Sequence, residues 1–192
     1  EPDVVLDAVE AERGTVLHGF DSHWADLIRA QEQRQRDVSS LRVGTLPAGM
    51  ESTIPTARTA QDVFCPTTSG FGMSESWAFI ASSHISDSLE QRIEASGYPM
   101  YGIEFQVRDL DTGEILAAGE PGALFVKGYT VMSGYWGKPE ATAEVLSSDG
   151  WLDTGDVALL RADGHVVFIG RHKDMLKVGG ENVSPAEIEG YL

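Results

Sequence analysis

A chain of 192 residues with 42% hydrophobic content is long enough to bury a core, as one domain or as one domain with part of another. Its formal net charge of −16 argues against nucleic acid or an anionic membrane as the main partner, since both are held through basic surfaces. The charge does not exclude a nucleotide, because a few local cations and Mg²⁺ neutralise phosphates inside an acidic protein. No apolar run approaches the ~20 residues that span a bilayer. The acidic opening EPDVVLDAVEAERG has none of the character of a signal peptide. The single cysteine, Cys65, excludes an internal disulfide and leads to the expectation of a reducing, cytoplasmic setting.

In chain order, Val4 to Arg13 carries apolar residues at helical spacing, with Gly14 as the expected stop. Thr15 to Gly19 reads as a short strand, and Ser22 to Arg36 as a second helix with a stripe of Trp24, Leu27 and Ile28. LRVGTL reads as a further strand, so this part is expected to be α/β with parallel strands. Only Thr56 to Val63 is predicted helical in the proline-rich section that follows, and TTSGFGMSES (Thr67 to Ser76) is predicted to be a loop. From Gly102 the period changes to two. IEFQVRDLDTGEIL predicts a strand, an Asp111-Thr112-Gly113 turn and a return strand; GALFVKG adds a third. Pro139 opens a short helix, and Asp163-Gly164 turns a second hairpin, so the middle is expected to be an antiparallel, barrel-like layer. Ser184-Pro185-Ala186-Glu187 is a capping box that starts a last helix. With no Met at position 1 and an end at Leu192 just after that start, the chain is expected to be a fragment.

Three stretches carry chemistry. In GFGMSES, glycines on either side of Phe71 leave room for a flat base, Ser74 offers a hydroxyl to phosphate, and Glu75 offers a hard oxygen to Mg²⁺. The alternative for this stretch is a glycine-rich turn with a buried aromatic. In WLDTGD, Asp156 can accept hydrogen bonds from both ribose hydroxyls, as acidic residues do in other nucleotide sites, or simply form a turn. In GRHKDMLKVGGENVSPAEIE, Arg171 ends a strand where its fork suits ribose or phosphate oxygens. VGTLPAGM, and His18, Phe20 and Trp24, are weaker candidates for a pocket lining; for the last three, core packing is the competing role. The five histidines show no metal-ligand spacing, and TTSG lacks the lysine of a phosphate-binding loop.

Taken together, these stretches resemble the adenylate-forming (AMP-binding) superfamily, and among its members the acyl-CoA synthetases. GFGMSE resembles the family's aromatic-Gly-x-Thr-Glu loop, with Phe71 and Ser74 for the commoner Tyr and Thr. WLDTGD matches its aromatic-x-x-Thr-Gly-Asp motif, and GALFVKGYTVMSGYWGKPEATAE resembles the motif before it. GGEN followed by V-x-P-x-E is particularly like acyl-CoA synthetases. The resemblance implies an α/β subdomain (1–100), a β-barrel-like subdomain (101–172), and a hinge with the start of a truncated small domain (173–192).

It implies ATP or AMP, Mg²⁺ and coenzyme A as ligands, a small carboxylic acid as substrate, and no nucleic-acid partner; a homo-oligomer stays open. Gly70, Phe71, Gly72, Met73, Ser74, Asp156, Arg171, Gly179 and Gly180 are the implied binding residues. Ser74, Glu75, Lys173 and Lys177 are the implied catalytic residues, with Glu75 on the metal and Lys173 at the hinge. The parent protein is then an ATP-dependent acyl-CoA ligase of fatty acid metabolism, the chain alone being inactive. A relative with a carrier-protein thiol as acceptor and a non-catalytic nucleotide-binding module are the alternatives.

Overall fold

The computed structural model describes residues 1–174, 176–178, 181–183 and 185. The first half is built on a parallel three-stranded sheet in the order β1 (Val16–His18), β2 (Val43–Thr45), β3 (Thr67–Thr68). Helices α1 (Pro2–Glu12), α2 (Asp21–Gln33) and α3 (Ile54–Val63) accompany it, as the alternation of elements leads one to expect. The Trp24, Leu27 and Ile28 stripe of α2 is buried, and Trp24 is the key to the layer. Its Nε1 donates to the Thr45 carbonyl at 3.1 Å, and its ring fills the space above β2. A Cβ on Gly44 would come within 2.6 Å of that ring, so the glycine lets helix and strand meet. Leu6, Leu46, Ala57, Ala60 and Ile93 complete this core. Burial of each large aliphatic side chain stabilises the fold by roughly 1.5–3 kcal/mol.

Helix α2 stops at Gln33 rather than running on to Arg36, and the reason is visible. Arg36 is buried; it donates to the carbonyls of Ala30 and Arg34 and pairs with Asp3 and Asp7 of α1. Gln31 bonds the Arg36 backbone in both directions. A helical Arg36 would lose this clamp between α1 and α2. At the end of α1 the left-handed residue is Arg13 (φ 54°) instead of Gly14. Gly14 lies against Val9 and donates to its carbonyl, while the Arg13 guanidinium reaches Asp37 at 2.7 Å.

The second half is antiparallel. Strands β4 (Gly70–Met73), β5 (Ala78–Ser82) and β6 (Tyr98–Pro99) make one sheet, with α4 (Leu89–Ile93) between the last two. The stretch Thr67 to Ser76 is therefore two short strands and a 3₁₀ turn (Ser74–Ser76), not a loop. Glycine explains it: a Cβ at Gly70 would sit 2.8 Å from the Ala81 carbonyl, so only glycine lets β4 pair so closely with β5. Strands β7 (Ile103–Arg108), β8 (Gly122–Gly128), β9 (Leu152–Leu160) and β10 (Val166–Arg171) make the larger sheet, in the order β10-β9-β8-β7.

The expected barrel-like layer is thus an open sheet among the described residues, four strands being too few to close. The return strand after Asp111-Thr112-Gly113 is a single bridge, Arg108 to Ile115. Asp109 Oδ1 accepts from the backbone of Asp111 and Thr112 and from the Thr112 hydroxyl, which favours a compact turn over a ladder.

The two antiparallel sheets are stitched at Ser96–Gly97, just before β6, where Ser96 N donates to the Val166 carbonyl and Val166 N donates to that of Gly97, both at 2.7 Å. Helix α5 (Pro139–Val145) follows a loop after β8, and a 3₁₀ turn (His172–Asp174) leads to the hairpin β11 (Leu176–Val178) and β12 (Glu181–Val183). The expected final helix lies outside the described residues. Among the described residues no helix is long and apolar enough to cross a membrane.

Candidate functional site

Strands β9 and β10 pair so that Asp156 and Arg171 stand directly opposite each other. A bulge between Phe168 and Gly170 shifts the register just before Arg171, a common device for re-aiming a side chain. Asp156 is 2% exposed, and Arg171 Nε lies 3.0 Å from its Oδ1. The N–H does not point at that oxygen, so the contact is an ion pair, and Oδ1 has no hydrogen-bond donor. Burial pushes the Asp156 carboxyl up to about 6; Arg171 and Thr154 pull it back down, while Asp153 and Glu75 add to the rise. Thr154, itself buried, anchors the turn: its hydroxyl donates to the Leu124 carbonyl at 2.9 Å and accepts from Asp156 N at 3.1 Å.

This carboxylate lines a cleft of about 260 Å³. One wall is the loop Pro47, Ala48 and Met50, and another is Gly70, Phe71 and Gly72 of β4. Ser96, Phe168, Arg171, Phe20 and Phe79 close the remainder. Phe71 is 8% exposed, stacked on Phe168 with centroids 6.1 Å apart and edge-on to Phe105 at 6.4 Å. A second groove of about 280 Å³, lined by His18, Gly19, His23 and Thr45, shares Phe20, Pro47 and Phe79 with the first. The two cavities are neighbours across those three side chains. His18 and Phe20 line the second groove, whereas Trp24 is fully buried in the core.

Beyond Gly72, Met73 ends β4, and Ser74 and Glu75 enter the 3₁₀ turn. Ser74 is exposed and Glu75 half-buried; neither lines the cleft. Glu75 is nonetheless close enough to Asp156 for its charge to raise that carboxyl. The Tyr135 hydroxyl donates to Glu75 Oε1 at 2.9 Å. The turn ends in two left-handed non-glycine residues, Trp77 (φ 63°) and Ala78 (φ 82°), a costly backbone of the kind found at binding sites.

Of the residues singled out from the sequence, Gly70, Phe71, Gly72, Asp156 and Arg171 meet at one cleft, although 84 residues or more separate the two groups. Lys173 is exposed on the turn after β10. Lys177 is on β11, opposite Asn182. Gly179 and Gly180 lie outside the described residues. Sequence reasoning passed over Phe168, Ser96, Thr154 and Tyr135. Thr154 and Tyr135 sit inside recognised motifs, so a signal existed; nothing local in the sequence marks Ser96 or Phe168.

The family model described as "AMP-binding enzyme" matches residues 1–136. Over 97% of its length the chain is 32% identical to the mouse (Mus musculus) mitochondrial medium-chain acyl-CoA ligase ACSF2, of which it covers 31%. It is 36% identical to a feruloyl-CoA synthase of Amycolatopsis sp, with 100% of this chain and 38% of that protein aligned. In fold it matches O-succinylbenzoate coenzyme A synthetase (MenE) from Bacillus subtilis, solved in complex with AMP, with a TM-score of 0.85 and 26% identity. That match covers 100% of this chain and 38% of the other. The chain thus spans about a third of the length of the curated relatives it matches. With its sequence and its fold both matching, the chain belongs to the AMP-binding enzyme family.

Proposed function

We propose that this chain carries the nucleotide-binding part of an AMP-forming acyl-CoA ligase. Such an enzyme joins a carboxylic acid to ATP as an acyl-adenylate with release of pyrophosphate, then passes the acyl group to the thiol of coenzyme A with release of AMP. The observation that carries this reading is Asp156: a carboxylate buried in a cleft, beside a cation, with an oxygen that no donor satisfies. A buried polar atom without a partner is costly, and the two hydroxyls of a ribose supply what is missing. The names of the relatives agree, being CoA ligases of medium-chain and aromatic acids.

In this reading the base enters between residues 47–50 and 70–72, where Phe71 supplies an apolar wall. Asp156 accepts from the ribose, and Arg171 offers its fork to ribose or phosphate oxygens while holding Asp156 in its ionised form. Ser74 and Glu75 face the phosphate end. Glu75 fits Mg²⁺, which is usually held by one or two carboxylates with phosphates and water rather than by a protein cage. Among the described residues no group of three or more His, Cys, Asp or Glu gathers into such a cage. Bound there, the ion would neutralise phosphate charge.

The groove of His18, Gly19, Phe20 and Phe79 adjoins the cleft and is the proposed seat of the acyl chain. Lys173 is the proposed hinge between units 1–100 with 101–172 and 173–192, and Lys177 with Gly179–Gly180 the proposed thioester segment.

The test is carboxylate-dependent ATP–pyrophosphate exchange by the complete gene product, with the 192-residue chain alongside, against short, long and aromatic acids. Exchange by the parent and not by the chain supports the reading, and the responding acid names the substrate class. Tight AMP binding without exchange for any acid points instead to a non-catalytic nucleotide module. Transfer to a carrier-protein thiol but not to coenzyme A would correct the acceptor.

A further inference from the structure

We infer, on the ligase reading above, that Tyr135 is a positioning residue for the metal and phosphate end of the site. Its phenol orients the Glu75 carboxylate so that one oxygen stays free for a divalent cation.

The two residues are 60 apart in sequence, yet two hydrogen bonds join their loops. The Tyr135 hydroxyl donates to Glu75 Oε1 at 2.9 Å, and Met132 N donates to the Glu75 carbonyl at 2.8 Å. Side chain and backbone of one residue are thereby held by a single loop. That loop is braced in turn by α5. Tyr135 N donates to Thr142 Oγ1 at 2.9 Å, the Thr142 hydroxyl donates to the Lys138 carbonyl at 2.9 Å, and Lys138 N donates to the Tyr135 carbonyl at 3.1 Å. Gly134 (φ +144°) lets this ring of bonds close, since a Cβ there would meet Thr142 Cγ2 at 2.8 Å. Helix α5 fixes the loop, the loop fixes Tyr135, and Tyr135 fixes the carboxylate.

The arrangement has a chemical consequence. A carboxylate on a half-buried turn rotates freely unless one oxygen is tied. The phenol ties Oε1, while Oε2 accepts no hydrogen bond among the described residues. One oxygen oriented and one open is what a cation sharing its shell with phosphate and water needs. The Glu75 charge reaches Asp156 on β9, which is itself paired with Arg171 on β10.

The experiment compares the complete gene product with its Tyr135→Phe, Glu75→Gln and doubly substituted forms. ATP affinity is measured with saturating Mg²⁺ and in EDTA, and AMP affinity in EDTA. Loss of a group that orients a metal ligand typically costs ~10-fold or more. Tyr135→Phe is therefore expected to weaken Mg²⁺-dependent ATP binding by about 10-fold, with ATP in EDTA and AMP bound as before. Unchanged AMP affinity also certifies the fold of the variant. Because Tyr135 acts through Glu75, the double variant is expected to be no weaker than Glu75→Gln alone. Equal losses for AMP and ATP, or a full further loss on top of Glu75→Gln, would overturn the positioning role and leave the ligase reading standing. A Glu75→Gln protein with unaltered Mg²⁺ dependence would also overturn it, there being nothing to position. Failure of every form, wild type included, to bind AMP would sink the ligase reading and this inference with it.

Discussion

Arg171 Nε stands 3.0 Å from Asp156 Oδ1, and still the Asp156 carboxyl is raised to about 6. Burial outweighs the neighbouring cation because Asp156 is almost wholly enclosed, whereas the Arg171 side chain is 48% exposed and its charge is partly screened by water.

A pH dependence follows with a definite sign. In the unfolded chain Asp156 titrates near its ordinary 3.8, and in the folded one near 6. Between those values the folded state holds a proton that the unfolded state has lost, so stability falls as pH rises. The contribution is full below pH 4 and gone by about pH 7, and a carboxyl raised that far changes stability by about 3 kcal/mol across the window. Urea unfolding at pH 4 to 7 should show the decline in the wild type and a profile flatter by that amount in Asp156→Asn. Parallel profiles would mean that Asp156 is not the group responsible.

Ribose binding should oppose the rise. Hydroxyl donors favour the ionised carboxylate, so AMP binding at pH 6 should release about half a proton and at pH 8 almost none. Calorimetric enthalpies of AMP binding, measured in buffers of different ionisation enthalpy, report this directly. An enthalpy independent of buffer at pH 6 would place the ribose elsewhere.

Thr154 joins the Leu124 carbonyl to the Asp156 amide through one buried hydroxyl. Thr154→Val keeps the shape and orphans both backbone groups, for a destabilisation of about 2–3 kcal/mol. Thr154→Ser keeps the hydroxyl and is expected to lose about 1 kcal/mol, the scale of one buried methyl group. Chemical denaturation of the pair measures the difference, and AMP affinity should follow the hydroxyl rather than the methyl. Equal losses for both would mean that packing, not hydrogen bonding, sets the turn.

Two glycines provide a contrast of close approach with backbone conformation. A Cβ at Gly72 would run into the Ala78 carbonyl on the paired strand, so Gly72→Ala must separate β4 from β5. Gly113 has φ +73° and open space around it, so Gly113→Ala meets only the left-handed penalty of about 1 kcal/mol. Thermal melting should place Gly72→Ala several times lower in stability than Gly113→Ala, with loss of AMP binding confined to the former. Similar melting of both would show that β4 can move away without cost.

The sequence by itself determined the alternation of elements in the first half, because the spacing of Trp24, Leu27 and Ile28 admits one helical face and the short β-branched runs admit strands. It determined the hairpin at Asp163-Gly164 too, since that turn chemistry is local, and it named Gly70, Phe71, Gly72, Asp156 and Arg171 through family motifs. Tertiary structure decided what depends on residues distant along the chain. The end of α2 is decided by Asp3 and Asp7, exposed carboxylates of α1 that pair with the buried Arg36 guanidinium and hold that residue out of the helix. The strand nature of Gly70 to Met73 depends on β5, against which only glycine backbone fits. The proton affinity of Asp156 depends on burial under the assembled cleft, and the orientation of Glu75 on a phenol 60 residues away. Dielectric environment and hydrogen-bond direction arise only when the chain is folded, and for that reason no spacing along the sequence could express them.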